Sequence, residues 1–128
     1  MNLRSPLGAA MAHGSARSGT GHWRDQRLGA VALVPLGLWF LWALLTRPDL
    51  GHAGVVAWIA EPLTAVPLAL FTLVALWHSL LGTAVIIEDY VHGHGLKAVS
   101  LVALRLVHGL AAAAAIVALV AIVGGGAG

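Results

Sequence analysis

His78, Asp89 and Tyr90 are the residues of this chain whose types and spacing could do chemistry. A histidine within an apolar run can ligate a metal or haem iron through a ring nitrogen, or can simply hydrogen-bond to a neighbouring helix. A phenol and carboxylates at the end of such a run suit a quinone, whose carbonyl oxygens become hydroxyls on reduction and need a hydrogen-bond donor and a proton relay. An interfacial tyrosine with helix-end acids is the plainer reading of the same residues. On a helix turning about 100° per residue, Ala75, His78, Gly82, Val85 and Asp89 share one face. Asp89 follows His78 by about three turns with about 20° left over, an axial offset of roughly 16 Å. One face thus carries two candidate sites. Ala75 and Gly82, being small, would let a flat macrocycle, or equally another helix, approach the backbone.

Positioning these groups requires a membrane. The chain has 128 residues, 59% hydrophobic and 9% charged, with a mean hydropathy of +0.90, against about 25% charged residues in soluble domains. Three segments are long and apolar enough to span, since about 20 residues cross a bilayer. They are about 28–46, closed by Arg47, Pro48 and Asp49; 63–87, ending at Glu88 and Asp89; and 106–123, approached through Lys97 and Arg105. Pro35 should bend the first. The expected fold is an all-α membrane protein of three transmembrane helices, part of a multi-subunit helical bundle. A basic polar tail (1–27) precedes the anchor domain (28–123), and a glycine-rich tail (124–128) follows it.

Arg4, Arg17, Arg24 and Arg27 precede the first span and only Arg47 closes it, so the positive-inside rule predicts a cytoplasmic N-terminus. Trp23 and Trp58 should mark the two interfaces. Lys97 and Arg105 then lie inside, as does the Glu88–Tyr90 run. The arginine-rich start is also compatible with a mitochondrial transit peptide, but a bacterial inner membrane is the favoured location over a mitochondrial one. With no cysteine, the chain cannot itself hold a disulfide, a thiolate zinc site or an iron–sulfur cluster. The small basic excess on so apolar a chain does not point to nucleic acid.

Seven histidines are present. Counted from Ile87, His78 lies roughly 13 Å into the hydrocarbon, where a polar side chain must face the bundle and find a partner. If Arg105 marks the inner boundary, His108 is about 9 Å shallower, which argues against it as a second haem ligand and for a partner chain in that role. His92 and His94 form a pair without a third ligand nearby and read as solvated loop residues.

The segment from His78 to Val91, with glycine four residues after the histidine and Asp89-Tyr90 at eleven and twelve, resembles the signature of the succinate dehydrogenase hydrophobic membrane anchor family. The run His22-Trp23-Arg24-Asp25-Gln26-Arg27 is similar to bacterial members. The resemblance implies an anchor in the lipid bilayer that pairs with the cytochrome b556 subunit and docks an iron–sulfur subunit and a flavoprotein subunit on the cytoplasmic or matrix side. It implies His78 as one axial ligand of haem b, Tyr90 as hydrogen-bond donor to ubiquinone, Asp89 as its neighbour in proton relay, and Arg27 beside the haem propionates. Electrons would pass from succinate to ubiquinone in the assembled complex, with succinate oxidised on the soluble subunits. The rival readings are a fumarate reductase anchor working with menaquinol, and a structural membrane protein in which His78 only joins helices.

Overall fold

The computed structural model describes residues 16–125; the outer parts of both expected tails, with Arg4 and His13, lie outside the described residues. It contains α1 (Ala16–Leu45), α2 (His52–Ala60), α3 (Pro62–Tyr90) and α4 (His94–Val123), with no strand among the described residues. Three stretches, Gly21–Leu45, Pro62–Tyr90 and His94–Val123, are long and apolar enough to cross a membrane. All-helical spans follow from the solvent: in lipid every backbone N–H and C=O must be satisfied within its own segment.

The helices outrun the apolar spans at the end that carries Tyr90. Helix α1 starts well before Leu28 and continues through Pro35, and α4 starts at His94, so Lys97 and Arg105 are helical rather than part of an approach loop. Helix α3 has Pro62 at its N-terminus, where the missing N–H costs nothing, and continues to Tyr90 before Val91 leaves the helical conformation.

The short helix α2 is an element that hydropathy alone does not announce. It is set by its flanks: the Asp49 carboxylate accepts from the Gly51 N–H at 2.7 Å, and Pro62 opens the next helix directly after Glu61. Trp58 is only 4% exposed and lies under the Arg47 guanidinium, 4.9 Å from the ring centroid. Trp58 therefore packs inside the small cap where Ala43, Thr64 and Ala65 are also buried, and is not an open interfacial anchor. Trp23, by contrast, is exposed and carries Arg27 over its ring at 4.8 Å.

Helix α3 is central, with α1 on one side and α4 on the other. The α1–α3 seam is antiparallel and in constant register. Gly37 faces Phe71, Gly29 faces His78 and Gly82 faces Gln26, while His22 and Trp23 share a groove with Val85. Phe40 stacks on Phe71 with centroids 5.2 Å apart. The α3–α4 seam is likewise antiparallel: Lys97 Nζ donates to the Glu88 carbonyl at 2.6 Å, His108 meets Ser79, and Thr72 and Ala69 share an apolar cavity of about 200 Å³ with Ala115 and Ala118.

Candidate functional site

The stripe Ala75, His78, Gly82, Val85, Asp89 survives as a physical face because α3 is unbroken from Pro62 to Tyr90. Its occupant is the chain's own first helix. A Cβ built on Gly29 would lie 3.3 Å from His78 Nδ1, and one built on Gly82 would lie 3.3 Å from Gln26 Nε2. Each helix thus sets a polar side chain into a glycine of the other. Of the two uses that the small Gly82 allows, room for a helix is the one realised within this chain.

This reciprocal fit leaves two polar atoms stranded. His78 Nδ1 and Gln26 Oε1 are sealed from solvent and have no hydrogen-bond partner among the described residues. An orphaned buried polar atom costs about 1–3 kcal/mol, so such atoms are rare and call for an explanation. With Nδ1 enclosed against Gly29, the half-buried imidazole has only Nε2 with which to bind anything outside the seam.

His108 is different. Its Nδ1 lies 2.9 Å from the Leu104 carbonyl. Its Nε2 lies 3.3 Å from Ser79 Oγ. A carbonyl only accepts, so Nδ1 carries the proton and donates, and Nε2 accepts from the serine hydroxyl. Both nitrogens are spent within the chain. The expectation that His108 sits much shallower than His78 does not hold, because it bonds to the residue next to His78 and is therefore at nearly the same level. The error came from placing the boundary at Arg105, which is well inside a 30-residue helix. What speaks against His108 as a ligand is its hydrogen bonding, not its depth.

The seam registers set Arg27 on α1 and Arg105 on α4 at about the level of Gly82, roughly one turn from His78 toward the Tyr90 end. Arg27 is two residues from Gly29, about 200° round the helix, so it lies away from the seam that holds His78. Asp25 approaches Arg24 at 3.9 Å, an exposed pair of little energetic weight.

Asp89 and Tyr90 occupy the last turn of α3 and are both exposed, Tyr90 by 78%. They are adjacent, but among the described residues nothing walls them in as a closed pocket would. His92 is exposed in the loop and His94 begins α4. Among the described residues no cluster of three or more His, Cys, Asp or Glu side chains could hold a metal ion.

The sequence model of the succinate dehydrogenase/fumarate reductase transmembrane subunit family matches residues 1–123. This chain belongs to that family. It is 33% identical over 118 residues to the succinate dehydrogenase hydrophobic membrane anchor subunit of Rickettsia bellii (strain RML369-C), an alignment that covers 91% of this chain and 94% of the relative. The corresponding subunit of Paracoccus denitrificans is 34% identical over 98 residues, 77% of this chain and 76% of the relative. The succinate dehydrogenase membrane anchor subunit of Reclinomonas americana is 29% identical over 94 residues, 71% and 78% of the two chains.

As a member of this transmembrane subunit family, the chain is an all-helical, three-span membrane protein. Two residues of the site were given no role by the sequence: Gln26, quoted only within the basic run, and Gly29. Both fall where the polar start meets the first span. The available signal was their own spacing, three residues apart on one helical face, matching His78 and Gly82 four apart on another.

Proposed function

We propose that this chain is the small hydrophobic anchor of a succinate dehydrogenase, supplying one axial ligand of haem b through His78 and one wall of a ubiquinone site through Tyr90 and Asp89. The reading rests on family membership together with one contrast inside the bundle. Of two histidines at one level, His108 spends both ring nitrogens within the chain and His78 spends neither on any described residue.

The donor chemistry fits a haem held between two chains. His78 offers a single nitrogen, Nε2, to a ligand from outside its own seam, and among the described residues no second imidazole is free at that level. The other axial ligand then comes from a partner anchor, the cytochrome b556 subunit. When bound, the haem supplies a one-electron redox centre. Its propionates are anionic, and Arg27, exposed at about the level next to His78, is available to them from the far side of α1.

At the end of α3, the Tyr90 hydroxyl donates to a quinone carbonyl oxygen, and the Asp89 carboxylate holds or passes the proton that follows the electron. Because both side chains are exposed on this chain, the remaining walls belong to the partner subunits: the second anchor and the iron–sulfur subunit, with the flavoprotein beyond. Succinate is oxidised there and ubiquinone reduced here. The described Arg24, Arg27, Lys97 and Arg105 all lie toward the Tyr90 end, whereas Arg47 alone lies toward the Trp58 end. The positive-inside rule then turns the Tyr90 end to the cytoplasm of a bacterial inner membrane.

The test is spectroscopic. The purified complex carrying His78→Ala is expected to lose its low-spin haem b signal, whereas an unchanged low-spin spectrum would overturn the ligand assignment.

A further inference from the structure

A histidine that binds iron through Nε2 keeps its proton on Nδ1, and that N–H needs an acceptor that fixes the tautomer and ring plane and tunes the electron density on the ligand. In this chain Nδ1 has none among the described residues. The carbonyl oxygen of Gln26 lies in the same seam, equally sealed and without a donor. Gln26 sits opposite Gly82, and Gly29, three residues on along the same face of α1, sits opposite His78. One orphan is a donor lacking an acceptor; the other is an acceptor lacking a donor.

We propose that Gln26 is the positioning residue of His78, its Oε1 accepting the hydrogen bond of the Nδ1–H in the holo complex. The two groups lie about one helical turn apart along the seam, an axial step of about 6 Å that rotation of the glutamine side chain closes when the holo complex forms. The two glycines give the arrangement its closeness, since each removes the side chain that would otherwise hold the polar groups apart. Gln26 acts on the ligand, not on substrate. The inference rests on His78 being the haem ligand and goes beyond it, because it names what holds that ligand and sets its donor strength.

The experiment compares Gln26→Leu and Gln26→Glu in the purified holo complex by redox titration of the haem b spectrum, beside His78→Ala. Leucine deletes the acceptor, weakens the imidazole as an electron donor and favours the reduced haem. Glutamate keeps the shape, strengthens the acceptor and favours the oxidised haem. Each change is expected to move the one-electron reduction equilibrium about tenfold, about 59 mV, in opposite directions. Equal shifts of one sign would mean that only packing was disturbed and would overturn the pairing. So would unmoved potentials in both variants when His78→Ala has lost the haem, with the ligand reading intact. Retention of the haem by His78→Ala would overturn the ligand reading and the pairing together. Glutamate is nearly isosteric with glutamine, so if the leucine variant fails to assemble, the glutamate shift alone decides.

Discussion

The two seams flanking α3 carry a histidine at the same level and treat it in opposite ways. On the α4 side, His108 is tied at one nitrogen to a backbone carbonyl and at the other to Ser79, with apolar neighbours Leu76 and Leu80 around it. On the α1 side, His78 is pressed against Gly29 with a nitrogen left unpaired. Residue type and depth are shared, so neither separates the two imidazoles. The distinction is unused bonding capacity: His108 has both ring nitrogens paired, whereas the buried Nδ1 of His78 has no partner among the described residues. The packing agrees. Glycine meets a polar side chain twice in the first seam, a close approach that small residues make possible between membrane helices.

The largest effect should come from filling the cradle. In Gly29→Val the new Cβ would stand 3.3 Å from Nδ1 and 3.5 Å from the Cβ of His78, and the valine methyls have no space beyond it. Overpacking of this kind costs about 1–3 kcal/mol. A lower thermal midpoint of the detergent-solubilised complex, together with reduced haem content, is the expected outcome. Unchanged haem content and stability would mean that α1 does not hold the imidazole, and the contrast between the seams would lose its first member.

Hydropathy made the three spans legible because about 20 apolar residues in lipid have few alternatives to a helix. It also made the His78 stripe legible, since helical periodicity needs only an unbroken α3. Three things were hidden. Gly82 could serve a macrocycle or a helix, and the choice depended on Gln26, which composition assigns to the polar start of the chain. The level of His108 depended on the α4 N-terminus: apolarity begins near Leu106, but the helix begins at His94, because lysine and arginine do not stop a helix. Helix α2 was hidden because its nine residues, set between Pro48 and Pro62, are too few for a span, and the burial of Trp58 follows from the cap around it. The Asp89–Tyr90 end was legible only as residue types, because among the described residues nothing encloses the two exposed side chains.

A smaller effect should follow from His108→Ala. The Leu104 carbonyl keeps its helical partner, and the freed Ser79 hydroxyl can turn to a carbonyl of its own preceding turn. What is lost is an interhelical hydrogen bond, worth about 0.6 kcal/mol on average in membrane proteins. The haem spectrum should persist in this variant while thermal stability falls slightly. Loss of the low-spin signal here would make His108 the functional histidine and invert the comparison.

The smallest effect, and one of opposite sign, belongs to Gly109, which follows His108, is exposed, and would find nothing within 4 Å of an added Cβ. Here glycine is not accommodating a neighbour. In Gly109→Ala the gain in helix stability should be about 0.5 kcal/mol, the lower end of the interior Gly-to-Ala difference, read as a small rise in the thermal midpoint of the complex. Because Gly29 and Gly109 both sit beside a histidine, the pair isolates the cradle from any general intolerance of side chains near an imidazole. A loss at Gly109 comparable to that at Gly29 would show that another chain packs there in the assembly, and that open space on this chain alone does not mark a lipid face.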